Sequence, residues 1–348
     1  MQLLARTFAK AARCMCFAIL RHGLPEESLG QIVLVDILLY ELDWVFTLLL
    51  ARRLEDAEME LRELLRIAPR IVLSSLPDSA YSALQKDPFC FDYLGGRIEA
   101  PEDYLSQRRK AMDTGPFTGL PRHAERVLVV VEMREHEDLE VVLRSSIRLL
   151  EPRTWALLLV CGERNKTFVE QIVKRWSFVH LHCLPISNFS REGYANFRRS
   201  QELLSWIEGA GGKLALFLEC DSLLLRSGVE SYCSYDLVGA PWSWEEDATC
   251  VGNGGLSIRR CEFLRAALAH MQATCAGEVA SPWPSRNEDI CFARAAADLA
   301  ADVPSRKVAQ EFSVETIYHP APIGCHKPWQ YLLPSDMQRL LQIWEPAD

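Results

Sequence analysis

From residue 126 onward the chain alternates short apolar runs with segments of helical period, and few folds accommodate that pattern. Arg126-Val-Leu-Val-Val-Val131 is an unbroken β-branched run with no polar face, which is how a strand buried on both sides reads. Leu139, Val142, Leu143, Ile147 and Leu150 follow at helical spacing. Trp155-Ala-Leu-Leu-Leu-Val160 predicts a second strand, 168–176 a second helix and 178–181 a third strand. A long helix over 191–207 then leads into a fourth strand, Leu214-Ala-Leu-Phe-Leu218. Strands joined by helical crossovers imply an α/β fold with a parallel sheet covered on both faces. Open sheets of this kind bind ligands beyond the carboxyl ends of their strands, so the residues that follow each run are the ones to inspect.

The chain before this region reads differently. Leu54, Ala57, Leu61, Leu64 and Leu65 recur at helical spacing, and Glu58 stands four residues ahead of Arg62, a favourable pairing on a helix surface. Pro69 ends that helix. The turn formers Asp113-Thr-Gly-Pro116 and Gly119-Leu-Pro121 mark a boundary. The expected organisation is a mainly helical N-terminal segment (1–120), a domain over 121–334 and a C-terminal tail (335–348). A chain of 348 residues agrees with two parts at about 150 residues per domain.

Composition narrows the setting. A net charge of −9, from 38 basic and 47 acidic side chains, argues against a nucleic-acid partner, which needs a basic face. The stretch 30–51 is apolar but contains Asp36, Glu41 and Asp43. At about 2.5–3.5 kcal/mol for each acid near mid-membrane, it reads as a buried helix and not as a transmembrane span. Residues 1–25 hold Arg6, Lys10, Arg13 and Arg21 ahead of the first acid, Glu26. That start reads as a surface helix compatible with peripheral membrane contact, or else as an organelle-targeting segment. Among the twelve cysteines no C-x-x-C spacing occurs, so a zinc ribbon is not expected. Reduced thiols in a soluble, intracellular protein are the expectation. The sequons at Asn165 and Asn188 matter only in a secreted chain.

Five segments could carry chemistry. Glu132-Met-Arg134 follows the first strand and reads as a contact to a base, ribose or phosphate, or as a local ion pair at a solvated turn. Glu219-Cys-Asp221 follows the fourth strand, and residues two apart in extended chain face one side. Two carboxylates delivered together suit a hard divalent ion such as Mn²⁺ or Mg²⁺, which can hold a diphosphate. Gly252-Asn-Gly-Gly255 lacks the G-x-G-x-x-G pattern; it lets a substrate approach the backbone or forms a bulged hairpin. Asn287-Glu-Asp289 reads as a helix cap with acids in its first turn, or as a site for a general base. Gly324-Cys-His-Lys-Pro-Trp329 offers His326 to a metal and Lys327 to a phosphate, although a lone histidine is more often structural. Trp242, Trp244 and Trp329 could stack on a sugar, yet tryptophan more often packs in a core.

Taken in order, Val131-Glu-Met-Arg134, Phe217-Leu-Glu-Cys-Asp221, Tyr235-Asp-Leu-Val-Gly-Ala-Pro-Trp242, Gly252-Asn-Gly-Gly-Leu-Ser257, Asn287-Glu-Asp289, Phe312-Ser-Val-Glu315 and His326-Lys-Pro-Trp329 resemble a family of uncharacterised glycosyltransferase-like domains. That family is similar to enzymes of the Rossmann-like GT-A fold. The resemblance covers roughly 125–333. It implies sugar transfer from a nucleotide-sugar donor to a hydroxyl acceptor, with inversion and a divalent metal. Asp221, Glu219 and His326 would then hold the metal, Glu219 departing from the usual D-x-D. Asp289 would be the base, with Glu288 beside it in the catalytic pair. Glu132, Arg134, Asn253, Gly254, Gly255 and Lys327 would face the donor, and Trp242 and Trp244 the acceptor. Two alternatives stand beside this: a catalytically inactive binding or scaffolding module on the same GT-A-like fold, motivated by the irregular acidic motif, and a nucleotidyltransferase, which would need a second carboxylate cluster.

Overall fold

The computed structural model describes residues 105, 108–109, 112, 115–242, 252–275, 287–332 and 334–343. They belong to two compact units, Met1–Ala100 with Trp329–Met337 and Pro101–Pro328 with Gln338–Asp348. Most of the N-terminal helical segment, the 30–51 stretch, the basic start and Trp244 lie outside the described residues. Of the first unit only 329–332 and 334–337 are described. They fall in the short 3₁₀ turn Pro328–Gln330, in the turn and bend at 331–332 and in the helix Pro334–Gln342.

The second unit is α/β, as the alternation implies. Its elements are β1 (Arg126–Val131), α1 (Leu139–Leu149), β2 (Trp155–Gly162), α2 (Lys166–Val173), β3 (His180–Leu184), α3 (Arg191–Arg198), α4 (Gln201–Gly209), β4 (Leu214–Leu218), β5 (Ser222–Leu224) and β6 (Leu237–Gly239). Then come β7 (Leu256–Arg260), α5 (Cys261–Cys275), α6 (Glu288–Asp298), α7 (Arg306–Phe312), β8 (Ser313–Val314) and β9 (Gly324–His326). The main sheet has the order β3-β2-β1-β4-β7-β6. β1 to β4 are parallel, with Val129 beside Leu158 and Leu128 beside Leu216, while β7 runs antiparallel to both β4 and β6. The sheet is therefore mostly parallel. Because β7 is reversed, the loop that enters it, and not the loop that leaves it, lies at the carboxyl ends of the parallel strands.

Chain order reverses between β1 and β4, so a crevice opens beyond their carboxyl ends. A second, three-stranded sheet, β5-β9-β8, forms directly after that point, with Ser222 opposite His326. Both strands at the switch point are shielded on each side. One face packs Val127, Val129, Leu158, Ala215 and Phe217 against Leu203 and Ile207 of α4, Leu264 of α5 and Phe292 of α6. Each such aliphatic side chain contributes about 1.5–3 kcal/mol on burial.

The long helix expected over 191–207 is two. Ser200 adopts an extended conformation and its hydroxyl accepts from the Leu203 N–H, which starts α4 afresh. The third strand runs His180–Leu184 and not 178–181, and the second helix starts at Lys166 and ends at Val173. Among the described residues no helix is long and apolar enough to cross a membrane. The described cysteines, including buried Cys161, Cys220, Cys261, Cys291 and Cys325, are free thiols.

Candidate active site

Glu219, Asp221 and His326 offer ligand atoms that all lie within 4.8 Å of one another. The first two leave β4 on the turn into β5, and the β5–β9 ladder carries His326 to them across the register pair Ser222–His326. His326 Nε2 stands 3.4 Å from Asp221 Oδ1 and 3.6 Å from Glu219 Oε2. Asp221 Oδ1 and His326 Nε2 are buried with no hydrogen-bond partner. Unpaired buried polar atoms are costly, on the order of 1–3 kcal/mol each, so two such atoms converging with a Glu219 carboxylate oxygen on one point fit a divalent cation. Two carboxylate oxygens and one imidazole nitrogen suit Mn²⁺ and, through the oxygens, Mg²⁺.

Lys327 completes the cluster. Its ammonium lies 3.0 Å from Asp221 Oδ2 and 3.8 Å from Glu219 Oε2, and its backbone holds a left-handed φ of 42°, a conformation uncommon for a residue with a side chain. Burial would raise the carboxyl pKa of Glu219, but His326, Lys327 and Arg198 outweigh it and hold it well below the ordinary value. Burial likewise opposes the lowering at Asp221, which Lys327 and His326 bring about. Burial would lower His326, yet Asp221 and Glu219 hold it well above its ordinary value.

A cavity of about 450 Å³ opens in front of this cluster, lined among others by Glu132, Arg134, Tyr194, Glu219, Asp221 and Lys327. That volume suits a small organic ligand. Arg134 grips Glu132 through two 2.8 Å bonds from Nε and Nη2. The local ion pair is therefore formed, and Glu132 is occupied by it, while the Arg134 side chain stays 61% exposed at the cavity wall. Asn165 fixes this loop: its amide Nδ2 donates to the carbonyls of Glu132 and Arg134 and its Oδ1 accepts from Gly162 N–H. Asn165 is wholly buried, so in the folded chain its amide belongs to the loop and not to a glycan.

Asp289 sits at the start of α6, half-buried, with Oδ1 accepting from Ile290 N–H at 2.8 Å and Oδ2 3.4 Å from Gly254 N. Burial, with Glu288 and Glu315 nearby, pushes its carboxyl up to about 7. Gly254 thus abuts Asp289, and its neighbour Gly255 abuts the His326 ring. Asp289 and Asp221 therefore share one end of the sheet. Asn287 does not cap α6 with its side chain; its Oδ1 accepts from Arg191.

Glu288 points the other way, into the protein, where Oε1 lies 3.2 Å from both Arg198 Nη2 and Arg259 Nη2. The two guanidinium groups lie 4.4 and 4.8 Å from the centroid of the Phe217 ring. Arg198 also reaches Tyr194 Oη, which donates to Glu219 Oε1 at 2.9 Å. Glu288 is therefore an anchor for two buried arginines, and the Tyr194–Arg198 pair leaves the other oxygen of Glu219 facing His326.

Other expected residues lie off the cavity wall. Asn253 is buried, with Nδ2 donating to Glu315 and Oδ1 accepting from Gly255 N–H; Gly254 and Gly255 pack against Asp289 and His326. Trp242 is buried, so its ring presents no open face, and its carbonyl accepts from Arg306. Sequence reasoning gave no role to Tyr194, Arg198 or Arg259, and read Asn165 only as a sequon. The signal available was faint: arginines at positions that fall on a buried helix face and in a buried strand. Glu315 stood in a quoted motif but without a function.

Residues 178–326 match a family described as a protein of unknown function (DUF5672). No curated protein matches the chain. Among solved structures, the apo-form glycosyltransferase GlyE of Streptococcus pneumoniae TIGR4 is similar over 59% of this chain and 55% of its own length, at 9% identity and a TM-score of 0.41. The chain thus spans about half of that protein.

Proposed function

We propose that the protein is an inverting glycosyltransferase that moves a sugar from a nucleotide-sugar donor to a hydroxyl acceptor with a divalent metal, Mn²⁺ or Mg²⁺. The observation that carries this reading is the convergence of His326, from behind, on Glu219 and Asp221, which line the cavity, with a carboxyl group tuned to about 7 at Asp289 on the same end of the sheet. The motif series running from Glu132 to Trp329 supports it. Glu219, Asp221 and His326 would hold the metal, which when bound neutralises charge on the diphosphate. Lys327 and Arg134 bring further positive charge to the same wall and would hold the departing diphosphate.

Asp289 is the base. An alcohol is a weak nucleophile at neutral pH, and a carboxylate that titrates near the working pH accepts its proton as the new bond forms. Attack from the side opposite the diphosphate inverts the anomeric carbon. The donor-side role of Glu132 is to hold Arg134; Asn253, Gly254 and Gly255 contribute from behind the cavity.

A second reading has its own observation. Lys327 already places a cation between the two carboxylates, which is what a metal-free, catalytically silent binding module would need. The discriminating experiment offers the full-length protein a panel of UDP- and GDP-sugars with and without Mn²⁺. Release of nucleoside diphosphate, scored by mass spectrometry and dependent on Mn²⁺, is expected. Donor binding by calorimetry with neither turnover nor any metal dependence would favour the silent module, and no binding to any donor would overturn both readings.

A further inference from the structure

We infer that Glu315, steadied by the Gly252-Asn-Gly-Gly255 loop, is a positioning residue that fixes the His326 imidazole so that Nε2 faces Glu219 and Asp221. The inference rests on the metal-site part of the reading above and gives the glycine-rich loop a task other than contact with the donor.

Glu315 Oε1 lies 2.8 Å from His326 Nδ1, which identifies Nδ1 as the protonated nitrogen and leaves Nε2 as the ligand atom. The same Oε1 accepts from Asn253 Nδ2 at 2.8 Å, and Asn253 Oδ1 accepts from Gly255 N–H at 3.0 Å. The loop therefore holds Glu315, and Glu315 holds the ring. Gly255 adds a steric constraint: a Cβ there would overlap His326 at Cδ2 and Nε2, so the ring lies flat against bare backbone. Asn253, Glu315 and His326 are each at most 5% exposed. None of the three lines the cavity, so a donor need not touch them for them to matter.

The physical reason is general. An imidazole that binds a metal through one nitrogen can rotate and exchange tautomers unless the other nitrogen is held, and a carboxylate at that position also strengthens the ligand. Loss of such a partner typically costs about 10–100-fold in metal affinity.

The test measures Mn²⁺ binding by calorimetry in the full chain, with no nucleotide present, as a cycle of four proteins: wild type, Glu315→Gln, His326→Ala and the double variant. Glu315→Gln should weaken Mn²⁺ binding by about 10–100-fold when His326 is present and have no further effect in the His326→Ala background. Unchanged affinity in Glu315→Gln, or an equal loss in both backgrounds, would overturn the inference while leaving the metal site standing. Absence of Mn²⁺ binding by the wild type would remove the metal reading and this inference together. Should Glu315→Gln fail to fold, Asn253→Ala serves in its place: about tenfold weaker Mn²⁺ binding is expected, again only with His326 present, and no loss would count against the proposal.

Discussion

At the scale of single residues, Asp289 carries the sharpest expectations. Its carboxyl titrates near 7 against an ordinary value of 3.8, because burial and the neighbouring Glu288 and Glu315 disfavour its charge. The native state therefore binds the proton more tightly than the unfolded chain, and stability falls as pH rises from about 4 to 7. Asp289→Asn removes that loss. The variant should match wild type in urea unfolding at pH 4 and exceed it at pH 8 by on the order of 2 kcal/mol; a variant less stable at pH 8 would contradict this account. The same substitution should lower sugar transfer by about 10²–10⁴-fold, the usual contribution of a general base, while Mn²⁺ affinity stays within twofold of wild type. In wild type the acid limb of the kcat/KM profile should fall near pH 7. Glu132, Glu219 and Asp221 could be singled out in the sequence because each follows an apolar run, Asp289 because it stands just ahead of an apolar helical run, and His326 because it lies between turn formers. Arg198, Arg259 and Tyr194 were not, because a charged side chain buried by partners elsewhere in the chain looks, locally, like any surface residue. Asn165 shows the same limit: it read as a sequon, and only the fold reveals that its amide is consumed by the loop after β1.

At the scale of elements, β1, β2 and β4 were nearly readable to the residue, since continuous β-branched or aliphatic runs have no other comfortable home in an α/β chain. The edge strand β3 slipped by two or three residues; its half-exposed side chains give a weaker pattern. The break between α3 and α4 was missed because the apolar period continues across it, whereas the event that divides them is one hydroxyl, Ser200 Oγ, capping the Leu203 N–H at 3.1 Å. Ser200→Ala should therefore cost about 1 kcal/mol in urea unfolding, and Ser200→Asp should recover it. If Ser200→Ala unfolds as wild type does, the cap is not what starts α4. The small strands β5, β8 and β9 were invisible beforehand, because two or three residues hold no period.

At the scale of the whole molecule, the Glu219–Asp221–His326 cluster joins residues that are far apart in sequence, so a metal bound there would be linked to folding. Mn²⁺ at about a hundredfold excess over its Kd should add about 2.7 kcal/mol of stability and raise Tm by several degrees, and EDTA should reverse the gain; identical melts with and without Mn²⁺ would speak against the cluster as a metal site. The overall α/β layout was predictable from alternation alone, while the three-stranded sheet that assembles the cluster was not, since pairing between β5 and β9 spans a hundred residues of chain. That short ladder has a consequence for biosynthesis. Asp221 leaves the ribosome well before His326, by roughly 5–20 s at ordinary rates of translation, and through that interval the nascent chain presents two carboxylates without their imidazole. The three side chains can meet only once β9 has paired with β5, that is, once the domain has closed on itself.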